Sequence, residues 1–325
     1  MKSMKNLLAG MLAAVGAFAS ANAFAQSYPV KAVHIVIPVP PGGLQDSLAR
    51  AMSPELTKRW GQPVLVENRS GANGIIAADA VAKAAADGHM LWMGTMVQLS
   101  NDLLNRKMPF DPVKDLVPVI GLVEAGSMFV SSMQYPAKNL QELIAAARAK
   151  PGEINYGSFG VGSLPHIDTE ALATQAGIKV THVPYKGGAE ILQGILGGQV
   201  TFAIMGITAT IPLIRQGRIR AIAYGGQKRS SGFPEVPTIS EAGVKGFTSG
   251  GWFGWFAPAG TPAAVVNKIA GDAGQVISVP EFRDKFVHAA GLEVLNLAPG
   301  QFAEQLRADR ESYAARLRAL NVKLE

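Results

Sequence analysis

The chain has 325 residues, no cysteine, and 30 Lys and Arg against 24 Asp and Glu, a formal net charge of +6. Without cysteine there can be no disulfide, no thiolate metal site and no lipid anchor on a cysteine. The charges are interspersed, and no basic run with interleaved aromatics suggests a nucleic-acid partner. The mild positive balance suits an anionic ligand, though only weakly.

Lys2 and Lys5 open the chain, Leu7 to Ala19 is an apolar run, and Ala23-Phe24-Ala25 is an A-x-A site. Residues 1–25 therefore read as a secretory signal peptide cut before Gln26. The run is too short for a membrane span, and no other segment approaches the ~18 continuous apolar residues one needs. The expected product is an exported, soluble, periplasmic chain of 300 residues. Loss of Lys2 and Lys5 lowers its charge to +4, and its length allows two domains of about 150 residues each.

The stretch from Val33 to Arg50, VHIVIPVPPGGLQDSLAR, organises the rest. A buried strand (Val33, Ile35, Ile37) runs through Pro38, Pro40 and Pro41 into Gly42-Gly43. A helix is expected from near Asp46, with Leu48, Met52 and Leu56 on one side and a kink or break at Pro54. Strand, glycine turn and helix N-terminus in that order aim free backbone N–H groups at one point, which favours an anion. An ordinary βα loop is the alternative.

Next come a strand at Val64–Val66, an Ala-rich helix from Ile75 to Ala86 and a strand at Met90–Met93 ending at Gly94-Thr95. This βαβαβ order predicts a parallel sheet with helices on its faces. Residues 105–120, rich in Pro and charge, read as a crossing segment. A second alternation follows: a strand at Met128–Ser131, a helix at Leu140–Ala149, and Ile154–Tyr156 running into a second loop, Gly157 to Ser163. Helices are expected at about His166–Ala176, Ala189–Leu196 and Ile211–Gln216, with strands at Val180–Val183, Val200–Met205 and Ile219–Ala223. Each half thus carries a strand, a glycine-rich turn and a helix, so two anion-receiving loops could face one another. The aromatics of Phe247–Pro258 read as core. Pro262–Val279 and Gln301–Leu320 read as helices.

Catalytic motifs are missing. Around Ser158 the G-x-S-x-G elbow fails, because Tyr156 stands where the first glycine belongs. Gly160-Val161-Gly162 starts a dinucleotide fingerprint, but Pro165 replaces its third glycine. The five histidines lack metal-ligand spacing, and His34 and His182 within strands read as structural. No cofactor is expected.

The residues resemble the Bug receptors, the extracytoplasmic solute-binding proteins of tripartite tricarboxylate transporters. The resemblance rests on Tyr28-Pro29, Pro38-Val39-Pro40-Pro41-Gly42-Gly43 with Asp46, Val66-Glu67-Asn68-Arg69, Gly71-Ala72-Asn73-Gly74 and Gly94-Thr95. It continues through Met108-Pro109-Phe110-Asp111-Pro112, Tyr156-Gly157-Ser158 with Gly162-Ser163 and His166, His182-Val183-Pro184-Tyr185-Lys186-Gly187 and Ala257-Pro258-Ala259-Gly260-Thr261-Pro262. The ordered set covers the whole expected mature chain.

The resemblance implies an α/β, two-lobed, Venus-flytrap periplasmic-binding-protein fold. Lobe 1 would be 26–121 plus 247–325 and lobe 2 122–246. It also implies a small organic carboxylate as ligand, held by backbone amides, and the membrane subunits of a tripartite tricarboxylate transporter as partner. The receptor is expected to be a monomer. Implied ligand-binding residues are Pro41, Gly42, Gly43, Leu44, Gln45 and Asp46 in the first loop, Thr95 and Met96 after the third strand, Ser158, Phe159, Gly160 and Ser163 in the second loop, and Ile207. Asp46 is expected to fix its loop as a helix N-cap. Leu44, Met96, Phe159 and Ile207 depart from more polar relatives, which suggests an apolar or aromatic carboxylate; equally, these side chains could pack behind the loops. Alternatives in function are a periplasmic sensor of the same fold and a serine hydrolase using Ser158 or Ser163.

Overall fold

The computed structural model describes residues 28–104 and 107–319. The expected signal peptide and Leu320 lie outside these residues.

In chain order the main elements are β1 (Val33–Ile37), α1 (Leu44–Trp60), β2 (Val64–Asn68), α2 (Ile75–Ala82), β3 (Met90–Gly94), the single-turn α3 (Met96–Leu99) and β4 (Leu116–Ser132). There follow α4 (Leu140–Ala149), β5 (Asn155–Ser158), α5 (Leu164–Ala176), β6 (Thr181–Pro184), α6 (Gly188–Leu196), β7 (Phe202–Gly206), α7 (Ile207–Arg215) and β8 (Ile219–Tyr224). The chain closes with β9 (Gly250–Pro258), α8 (Ala263–Ser278), β10 (Glu293–Leu297) and α9 (Pro299–Ala319). Helix α1 runs unbroken through Pro54, against the expected break. Met52, Leu56 and Trp60 on either side of the proline are all buried, so packing holds the axis across the missing N–H.

The described strands form one curled sheet, ordered β2-β1-β3-β9-β4-β7-β5-β6, with β10 and β8 also on β4. Strand β4 is the axis of the molecule. Its first part, Leu116 to Gly126, pairs antiparallel with β9, and its second, Ser127 to Ser132, with β7 and β8. The proline-rich text before Met128 hid this, since Leu116–Ile120 belongs to the strand rather than to a crossing loop. Pro118 is tolerated because the register shifts between it and Ile120, so its missing donor falls at an irregular point of the ladder.

Strand direction sets where function can sit. β1, β2 and β3 are mutually parallel, β9 is antiparallel to β3, and β4 antiparallel to β9, so β4 runs the same way as β1–β3. Beyond Gly126 it meets β7 head-on, Ser127 opposite Gly206, the last residue of β7; β5 is parallel to β7, and β6 to β5. The C-terminal ends of β1 and β3 therefore face those of β5, β6 and β7 across the Gly126–Ser127 junction. Crevices outside the carboxyl ends of parallel strands are where α/β sheets bind ligands.

Each half has its own apolar layers. On the β1–β3 side, α1 and α8 cover one face with Leu48, Met52, Ile269 and Ile277, while α2 and α9 cover the other with Ala77, Val81, Phe302 and Leu306. On the β5–β7 side, α4 and α5 contribute Leu143, Ile144 and Leu172 to one layer, and α6 and α7 contribute Ile191, Ile195 and Ile211 to the other.

Candidate ligand-binding site

The first loop is clamped from within. Its helix begins at Leu44 with Gly43 as N-cap, so Asp46 sits in the first turn and not at the cap as expected. From there its buried carboxylate accepts the Gly42 amide (2.9 Å), Arg50 Nε (2.9 Å) and Asn68 Nδ2 (2.8 Å). Asn68 Nδ2 also donates to the Val39 carbonyl, which ties the proline run to the end of β2. Burial opposes ionisation of Asp46, but hydrogen bonds from Arg50, Gly42 and Asn68 outweigh it and hold the carboxyl below the usual range. Asp46 thus fixes the loop, and the amides of Leu44 and Gln45, at the start of α1, have no partner among the described residues. Gly42 adopts φ +87° and a Cβ there would meet nothing within 4 Å, which describes backbone open to an approaching ligand. Gln45 turns inward, its Nε2 donating to the Met93 carbonyl (3.0 Å) and joining this loop to the end of β3.

Thr95 follows β3 and caps α3 in a reciprocal box: Gln98 N donates to its hydroxyl (3.3 Å), and its own amide donates to Gln98 Oε1 (3.1 Å). The hydroxyl proton remains available to donate outward.

The second loop is folded around the Gly160 carbonyl, which accepts Ser163 Oγ (2.7 Å), Ser158 Oγ (3.1 Å) and the Ser163 amide (3.2 Å). Ser158 lies beneath the loop, fully buried, 2.6 Å from His182 Nε2. Its hydroxyl holds the loop, and it is too enclosed to act as a nucleophile. Ser163 caps Gly160 in place of the helix amides. Gly160 (φ +100°) has no neighbour within 4 Å of a Cβ position, and the Val161 and Leu164 amides have no internal acceptor. Helix α5 brings Ile167 and Leu164 into the same apolar cluster as Met96, placing the second loop beside Thr95.

The apolar side chains divide. Met96 and Ile207 are buried in clusters on opposite sides of the junction, and Leu44 packs against the core under α1. Ile207 is enclosed behind its loop, Leu44 stays half-buried, and Met96 lines a cavity together with Leu164 and Trp252. Phe159 is 45 % exposed and keeps its place at the surface of the second loop. Pro41 is exposed as well, beside Gly42. Neither loop contains Lys or Arg, and Arg50 is engaged by Asp46 and Asn68.

Two features escaped the sequence reading. Gly206 ends β7 and caps α7, exposed, with open space where a Cβ would stand. His182 is joined to Ser158. Only register, which pairs Tyr156 with His182, puts that imidazole under the loop.

Residues 48–320 match the model of the tripartite tricarboxylate transporter family receptor. The chain belongs to this family. It is 35% identical over 266 residues to protein BugT of Bordetella pertussis, covering 79% of this chain and 81% of BugT. Among solved structures it is similar to an R. palustris protein with adipate (32% identity, TM-score 0.75, 91% of this chain and 99% of the other). It is likewise similar to MatC from Rhodopseudomonas palustris with bound malate (31% identity, TM-score 0.70, 89% and 100%). The receptor thus has the two-lobed α/β fold of periplasmic binding proteins. Family and neighbours are solute-binding receptors, and this chain is a receptor rather than an enzyme.

Proposed function

We propose that this receptor works in the periplasm after removal of residues 1–25. There it captures a small organic carboxylate between its lobes and delivers it to the membrane subunits of a tripartite tricarboxylate transporter. We assign lobe 1 to 26–121 plus 247–325 and lobe 2 to 122–246, acting as a monomer. The observation that carries the reading is the opposition of two glycine loops, in each of which two amides (Leu44 and Gln45, Val161 and Leu164) have no partner among the described residues. A carboxylate received there takes several charge-assisted hydrogen bonds from neutral donors, each contributing roughly 1.5–3 kcal/mol. Similar receptors hold adipate and malate, both carboxylates. Closure of the lobes then follows from contacts that exist only with both loops on the ligand.

Thr95, the backbone of Gly42–Asp46, the backbone of Phe159–Leu164 and Gly206 are the proposed contacts. Titration calorimetry with adipate, malate, citrate and aromatic carboxylates tests the reading. Saturable binding of one of them supports it, and binding confined to uncharged solutes would refute it.

A further inference from the structure

The second loop rests on two imidazoles. The Gly162 amide donates to His166 Nδ1 at 3.2 Å, and Ser158 Oγ lies 2.6 Å from His182 Nε2. The two rings are 4.4 Å apart, and the Tyr156 ring stacks against both. Tyr156 in turn donates its hydroxyl to Glu170 Oε1 at 2.6 Å, one turn beyond His166 on α5. Within its strand His182 reads as structural, and His166 enters only through the second-loop resemblance.

We propose that His166 and His182 are positioning residues for ligand capture: as neutral rings they hold the second loop in its anion-receiving shape, and a proton on His166 Nδ1 releases it. The inference rests on the carboxylate-receptor reading, because it concerns the same loop. Its chemistry is local. An Nδ1 that accepts the Gly162 N–H cannot also carry a proton; adding one sets donor against donor and breaks the hydrogen bond. The Ser158 hydroxyl has one proton: with that proton on the Gly160 carbonyl, Oγ accepts from His182 Nε2–H and from the Gly160 amide, so His182 steadies the loop and acts on His166 through the 4.4 Å ring contact. The Gly162 backbone, which shapes the open amides, moves when His166 takes up a proton.

The groups facing this pair are each other, the Tyr156 ring from β5 and Glu170 from α5. Desolvation lowers the affinity of both rings for protons, and each disfavours a charge on the other, while Glu170 acts in the opposite sense. With the rings in contact the pair titrates as a unit.

The test has two arms on the protein purified from the periplasm. In the first, ligand-free protein labelled with 15N is titrated from pH 8 to pH 5 by NMR. The Gly162 and Gly160 amide resonances should move with the midpoint of the His166 and His182 imidazole signals, below the usual value of about 6.5. Amides that stay still while the imidazoles titrate would overturn the proposal, whether or not any carboxylate binds.

In the second arm, adipate and malate are the probes, between pH 7.5 and pH 5.5. The comparison is with His166→Asn/His182→Gln, whose amides replace the ring nitrogens without titrating. For a one-unit change in pKa the wild-type affinity falls by up to about tenfold towards acid. The double variant should stay nearly flat with pH, whatever its affinity at pH 7.5; titration of the probe itself is common to both proteins and cancels. Equal pH slopes, or tighter wild-type binding in acid, would overturn the proposal. Failure of both probes to bind would count against the ligand assignment and leave the first arm to decide.

Discussion

The Gly42 amide donates to the Asp46 carboxylate at 2.9 Å, so the residue that looks most like an anion's competitor closes the loop that receives the anion. With Arg50 and Asn68 on its remaining lone pairs, Asp46 fixes the proline-glycine turn from inside. Asp46→Ala should lower stability by roughly 1–2 kcal/mol, since it removes the acceptor shared by Gly42, Arg50 and Asn68. Asp46→Asn, which can still accept from Gly42, should cost less. Urea unfolding of the two variants checks this ordering, and equal losses would mean that the Gly42 contact contributes nothing.

Two glycines separate cleft geometry from backbone strain. At Gly206 the backbone has φ −54°, which any residue adopts, and the Cβ position is empty. Gly206→Ala should therefore leave stability within about ±0.5 kcal/mol while weakening carboxylate binding by about tenfold, or 1.4 kcal/mol. Gly42→Ala should lose binding and also pay a strain of roughly 1–2 kcal/mol for its left-handed φ. Calorimetry beside thermal melting distinguishes the two. Unchanged binding in Gly206→Ala would remove β7's end from the cleft.

How much of this was legible beforehand follows from what each residue needs. β1 is a continuous apolar run into prolines and glycines, and its position required no partner to be known. β4 was half-hidden, because Pro118, Gly121 and Gly126 mask a strand whose continuity depends on β9 and β7 pairing with it. Met96 and Ile207 looked like candidate lining because a helix start was correctly placed, but which way a first-turn side chain points is decided by tertiary packing. The Ser158–His182 contact joins residues 24 apart, and no local pattern encodes it.

On the far side of the junction, the buried Asp168 carboxylate on α5 is bonded by Arg316 Nη1 (2.7 Å) and Ser249 Oγ (2.5 Å), while the Arg316 guanidinium lies over the Phe247 ring. This ties α9 to α5. Arg316→Leu leaves a buried charge without its partner and should cost about 3–5 kcal/mol. Adding Asp168→Asn should restore part of that loss. A double-mutant cycle in denaturant gives the coupling, and strict additivity would show that the pair acts through separate contacts.

His166 and His182 also predict how stability depends on pH. Burial holds both imidazoles below their ordinary value, so the unfolded chain takes up protons first as pH falls. Stability should be level above about pH 6.5 and decline below it. His166→Asn/His182→Gln should remove most of the decline between pH 6.5 and pH 5. Melting temperatures across that range check the sign, and a wild-type maximum near pH 5 would contradict it.

The most direct test of the central claim is thermal melting of refolded protein, freed of carried-over ligand, against citrate, C4 to C6 dicarboxylates, amino acids, nicotinate and benzene carboxylates. The account predicts that at least one carboxylate raises the melting temperature, with about 2.7 kcal/mol of added stability at 100 times its Kd, and that Gly206→Ala cuts this to about 1.4 kcal/mol at the same concentration. A shift produced by uncharged solutes alone, with every carboxylate silent, would contradict it.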